Sequence, residues 1–105
     1  MNRYTVTITS SASVIDEIER RICELFPKDC TDKLVLNREK PEVIEFTPPF
    51  IDLDDEDIEK ISANHPGEVI NLHYCASLGC SYHVIDCTFS DGKTTVTRDE
   101  TEDIC

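Results

Sequence analysis

The stretch whose reading decides the fold is residues 69–97, VINLHYCASLGCSYHVIDCTFSDGKTTVT. Ile70, Leu72 and Tyr74 alternate with Asn71 and His73, the period-two pattern of a strand with one apolar face. The Asp91-Gly92 pair, set between two β-prone runs, is a strong signature of a tight hairpin turn. Together these predict strands over 69–75, 82–89 and 93–98, with a loop at 76–81 and a frayed acidic tail over about 99–105. The same stretch holds five of the nine Cys and His residues within fifteen positions: His73, Cys75, Cys80, His83 and Cys87. Whether these five are chemistry or packing is the first question the sequence poses.

Working outward, Tyr4, Val6 and Ile8 alternate with Arg3, Thr5, Thr7 and Thr9, which predicts a half-buried strand with a threonine face. Val14, Ile15, Ile18, Ile22, Leu25 and Phe26 recur at helical spacing and predict an amphipathic helix over 13–26. Ser13 suits its N-cap, and Pro27 stops it. Residues 34–36 and 43–46 read as a hairpin pair, closed by Pro48-Pro49. A short helix over about 54–63 follows. Asp54 is its N-cap, and the acidic first turn suits the helix dipole. The predicted order is β-α-β-β-α-β-β-β in a single domain, residues 1–105. Helices interleaved with hairpins give an α+β two-layer sandwich: an antiparallel sheet with two helices on one face, ferredoxin-like, with an extra C-terminal hairpin. The other face of the sheet, by parity, carries Arg3, Thr5, Thr7, Thr9, Asn71 and His73.

Charge bounds the function. Ten basic residues against 22 acidic ones leave a formal charge of −12. Such a surface repels phosphate, which argues against direct binding to nucleic acid and for attraction to a basic protein. No run reaches the ~18 apolar residues of a membrane span. The beginning, MNRYTVTITSS, reads as a strand without the apolar region of a secretion signal. The expectation is a cytoplasmic protein with reduced thiols, monomeric or homodimeric.

The second half resembles the ferredoxin-like domain found in phage- and plasmid-encoded proteins of unknown function. The resemblance covers about residues 42–98. Its pieces are Phe46-Thr47-Pro48-Pro49-Phe50, the segment Ile58 to Pro66, Ile70-Asn71-Leu72-His73-Tyr74, then Gly79 and Asp91-Gly92. The chain departs from that family at Cys75-Ala76-Ser77-Leu78-Gly79, where the family has an acidic residue and a Pro-Gly pair, and it has no Trp. The resemblance implies a fold and a mobile-element setting but no reaction.

Two sets of residues compete for function. A zinc ion needs four N or S ligands in a tetrahedron, and His73, Cys75, Cys80 and His83 are the candidates. Their spacing matches no paired CxxC pattern, and strand parity puts His73 with Cys75 but Cys87 with His83. A Cys75–Cys80 disulfide also fits a four-residue loop. A thiol beside an imidazole, Cys75 with His73 or Cys80 with His83, is a nucleophile candidate for which Asp86 is an available carboxylate, but no nucleophile elbow or oxyanion hole is marked. The other set is acidic: Asp16, Glu17 and Glu24 on the first helix, then Asp54, Asp55, Glu56, Asp57 and Glu59 on the second. No central glycine makes that run an EF-hand. Two such helices side by side form a negative layer that imitates a phosphate backbone and fits a basic groove. The expected function is therefore that of a non-catalytic phage-type binding protein. It would inhibit a basic host protein or ribonucleoprotein complex that handles nucleic acid, most sharply as an anti-CRISPR. Alternatives are a metal- or redox-responsive Cys/His module and a dimerising domain.

Overall fold

The computed structural model describes residues 3–25, 35–38, 40–47 and 55–103. Strand β1 (Arg3–Thr9) leads into helix α1 (Ala12–Leu25). Strands β2 (Val35–Asn37) and β3 (Val43–Thr47) follow, then helix α2 (Asp55–Ala63). The chain ends in β4 (Val69–Leu78), β5 (Ser81–Ser90) and β6 (Lys93–Asp103). All six strands form one sheet in the order β2-β3-β1-β4-β5-β6, and every neighbouring pair is antiparallel.

Side-chain alternation divides the sheet into two faces. Val6, Ile8, Ile44, Phe46, Ile70, Cys87 and Phe89 point to the face covered by both helices. There they meet Val14, Ile15, Ile18 and Ile22 of α1 and Ile58 and Ile61 of α2. Each of these side chains, once removed from water, contributes about 1.5–3 kcal/mol. The chain is thus an α+β protein in two layers, as the periodicities predict.

Helix α1 starts one residue earlier than its pattern suggests. Ser11, not Ser13, precedes it: the Ile15 amide donates to the Ser11 carbonyl at 2.9 Å, and the Ser11 hydroxyl donates to Glu68. The expected N-cap of α2, Asp54, lies outside the described residues, as does Pro48-Pro49. Two expectations in the C-terminal half are corrected. The loop predicted at 76–81 is only the turn Gly79-Cys80, with Gly79 at φ 60°, and β4 and β5 pair up to Leu78 and Ser81. The tail predicted to fray is strand as far as Asp103, because residues 99–103 pair with 81–85 of β5.

The Asp91-Gly92 turn has positive φ at both residues, 52° and 80°, as a type I′ turn requires. It docks on the end of α2. The Gly92 amide donates to the hydroxyl of Ser62, a fully buried serine, at 3.2 Å, and the Gly67 amide donates to the Asp91 carboxylate at 3.3 Å. One irregularity lies further along the same hairpin. Between Asp86 and Cys87 the β5–β6 register shifts, so Cys87 faces Val96 while Asp86 faces Arg98. Thr97 is the spare residue of this bulge, and its hydroxyl donates to the Asp86 carbonyl at 3.0 Å.

Candidate functional site

The acidic helical layer is largely occupied by partners from its own chain. Arg38, in the connection between β2 and β3, reaches Asp16 at 2.5 Å and Glu19 at 3.3 Å. It also donates to the Pro41 carbonyl at 2.8 Å. Arg21 lies 2.8 Å from Asp57 and 3.2 Å from Glu24, joining α1 to α2. His65 sits 2.5 Å from Glu17. Hydrogen bonds to Asp57 and to Asp16, respectively, are the main reason the Arg21 and Arg38 guanidinium groups hold their protons more tightly than usual. Of the expected contact residues, Asp16, Glu17, Glu24 and Asp57 are therefore engaged internally. Asp55 opens α2, and Glu56 is exposed on it. Among the described residues Glu56 and Glu59 have no ion-pair partner.

A second acidic surface lies on the segment that the sequence reads as a frayed acidic tail. Strand β6 is the edge of the sheet, and Asp99, Glu100, Glu102 and Asp103 are all exposed on it. His83 pairs with Asp99 at 2.8 Å, and Arg98 with Glu100 at 2.8 Å. Glu102 and Asp103 have no ion-pair partner among the described residues. Helix α2 packs over β5 and β6. Carboxylates on an outer strand also discourage pairing with another sheet edge.

The four residues considered for zinc do not assemble. His73 and Cys75 are on the open face of the sheet, while His83 is on the helical face, edge-on to Tyr74 at 6.3 Å and bonded to Asp99. Cys80 is disulfide-bonded and Cys75 is a free thiol, so the Cys75–Cys80 bridge is absent. Among the described residues no group of three or more Cys, His, Asp or Glu is placed to hold a metal ion.

What the open face does assemble is a chain of polar contacts. His73 on β4 stands directly opposite Asp86 on β5. Nδ1 of His73 lies 2.5 Å from Asp86 Oδ1, and Nε2 lies 3.0 Å from Cys75 Sγ. The Tyr82 hydroxyl bonds to Cys75, and that bond is the main reason its proton is held more tightly than an ordinary phenol's. Arg98 approaches the second Asp86 oxygen at 4.0 Å. Thr5 and Thr7 of β1 flank Cys75 and His73 from the other side. A shallow depression of ≈ 330 Å³ runs past His73, Asp86, Thr7 and Thr97. The sequence brought Cys75 and His73 together, but Asp86 was only an available carboxylate. Treating Gly79-Cys80 as a two-residue turn puts Asp86 opposite His73, since paired residues are equidistant from the turn.

No helix among the described residues is long and apolar enough to cross a membrane. Comparison with family models, with curated proteins and with solved structures finds no match.

Proposed function

We propose that the protein is a non-catalytic acidic binding protein of phage or mobile-element type. Its partner is a basic complex of the host that handles nucleic acid, and its sharpest role is that of an anti-CRISPR which occupies a nucleic-acid groove. The fold we assign to it is ferredoxin-like, supported by the strand order β2-β3-β1-β4 under two helices, with β5 and β6 added at one edge.

One observation carries the reading: a −12 chain leaves Glu56 and Glu59 of α2 and Glu102 and Asp103 of the edge strand β6 without an ion-pair partner among the described residues. Lysine and arginine side chains that neutralise phosphates in a groove are equally served by such carboxylates. The contact surface moves accordingly, from the helical layer as a whole to Glu56, Glu59, Glu102 and Asp103, with Asp99 and Glu100 between them. Asp16, Glu17, Glu24 and Asp57 serve instead to hold the helices.

The test is competition. Purified protein is added to RNA-guided effector complexes, and binding of labelled target nucleic acid is measured. Inhibition should fall when Glu56, Glu59, Glu102 and Asp103 are together replaced by lysine, and fall again with added salt. Failure to inhibit any such complex, or inhibition untouched by the four replacements, counts against the reading.

A further inference from the structure

We propose that Cys75 is a nucleophilic thiol, with His73 as its base and Asp86 as the residue that positions the base, and that it takes peroxides as substrate, forming a sulfenic acid. This goes beyond the binding role and is independent of it.

The case begins with the two nitrogens of His73. Asp86 faces Nδ1 at 2.5 Å, so Nδ1 carries a proton and donates it to the carboxylate. Nε2 then turns a lone pair toward the sulfur 3.0 Å away, where it accepts the S–H proton of Cys75. The Tyr82 hydroxyl supplies a second donor to the same sulfur, suited to a developing thiolate. His73 of β4 and Tyr82 of β5 thus converge on the sulfur of Cys75, while Asp86 of β5 holds the ring. The titratable groups facing the pair are Asp86 and Tyr82 from β5 and Arg98 and Glu100 from β6, while β1 offers Thr5 and Thr7. Arg98 is itself held by Glu100 at 2.8 Å.

Substrate class follows from what the face lacks. Strand β4 is paired on both sides around Cys75, with Thr5 and Val84, so its amides are committed to the ladder. On the described strand that carries Cys75, this leaves no backbone amide to hold the oxyanion that acyl transfer needs. Peroxide oxidation needs only a thiolate, a proton and room for a small molecule. Cys75 is partly exposed, and an open depression runs along its partners His73 and Asp86, which gives a small molecule a way in. In the step, sulfur attacks one peroxide oxygen, the S–O bond forms and the O–O bond breaks. The departing hydroxide takes the proton that Nε2 received from the thiol. Sulfur loses two electrons to the peroxide, and the products with hydrogen peroxide are the sulfenic acid and water.

Cys23 is an exposed free thiol on α1 and serves as the control in the same molecule. Alkylation by iodoacetamide is followed at each cysteine by peptide mass spectrometry from pH 5.5 to 8.5. Cys75 should react about tenfold faster than Cys23, because Nε2 of His73 takes up the S–H proton as the sulfur attacks. His73→Gln should bring Cys75 down to the rate of Cys23, and Asp86→Asn should give an intermediate rate, with Cys23 unchanged in both. Hydrogen peroxide followed by dimedone should then label Cys75 ahead of Cys23. Equal alkylation rates in the unmodified protein, or a ratio indifferent to His73→Gln, would overturn the proposal. Fast alkylation without a dimedone adduct would overturn its peroxide chemistry.

Discussion

Asp86 and His73 face each other across the β4–β5 ladder, 2.5 Å apart at Oδ1 and Nδ1, on the side of the sheet opposite α1 and α2. Cross-strand pairs of this kind fix a ring's orientation without help from any loop. Nitrogen NMR on the imidazole gives a direct check. His73 should carry its neutral-state proton on Nδ1, and Asp86→Ala should shift the population toward the Nε2–H form. An Nε2–H tautomer in the unmodified protein would contradict the pairing.

Tyr82 offers a second readout of the same sulfur. Its proton is held above the ordinary phenolic range, chiefly by the bond to Cys75 and next by that group's charge. Ultraviolet titration at high pH should show one tyrosine ionising late, and Cys75→Ala should return it to the usual range. The sign for stability follows. A group whose proton is bound more tightly in the folded state stabilises it below the unfolded value, and that contribution is lost as pH rises through the folded one. The Cys75→Ala variant should therefore differ most from the parent at neutral pH and converge with it at strongly alkaline pH.

Phe89 is fully buried, opposite Ile70 and within the shared core of both helices. Phe89→Ala should cost about 3–5 kcal/mol in denaturant unfolding, whereas Ile18→Val should cost about 1 kcal/mol. A loss under 1 kcal/mol for Phe89→Ala would mean that the core is not built as described.

Gly92 combines φ of 80° with a close approach to α2, since an added Cβ would lie 3.1 Å from Ala63 Cβ. Gly92→Ala should destabilise by roughly 1–2 kcal/mol, the cost of a left-handed conformation for a residue with a side chain. Adding Ala63→Gly should recover only the steric share, so the two changes should be non-additive.

The engaged and unengaged carboxylates should separate in melting experiments. Asp57→Asn removes the partner that joins Arg21 of α1 to α2 and should lower Tm, more so at low salt. Glu56→Gln, on an exposed first-turn position of the same helix, should lower Tm much less, by the small helix-dipole contribution alone. Equal effects would dissolve the distinction on which the β6 flank was chosen.

Periodicity carried most of the fold. Val6 and Ile8 against Thr5, Thr7 and Thr9, and Ile70 and Leu72 against Asn71 and His73, assign each strand its two faces before any contact is known. Ile15, Ile18 and Ile22 do the same for α1. The site was legible only as far as one strand reaches. Cys75 and His73 share a face by parity, but Asp86 depends on register, and register depends on whether Gly79-Cys80 is a turn or part of a loop. The internal partners of the helical layer were hidden for a related reason. Arg38 and His65 lie far from Asp16 and Glu17 in sequence, and only packing brings them together. The tail was misjudged because charged residues weigh against a strand, although on an outer strand they are well tolerated.

Thr97 decides which charges accompany the sulfur. With this residue looped out, Arg98 and Glu100 stand beside Asp86 and Val84 on the open side. Were the ladder to take Thr97 in and slip by one, every later side chain of β6 would trade sides. Asp99 would then stand opposite Val84, and the cation Arg98 would turn toward the helices. The hydroxyl of a single threonine, bonded to the carbonyl of Asp86, thus works as a parity lock that sets the sign of the field around a histidine two strands away.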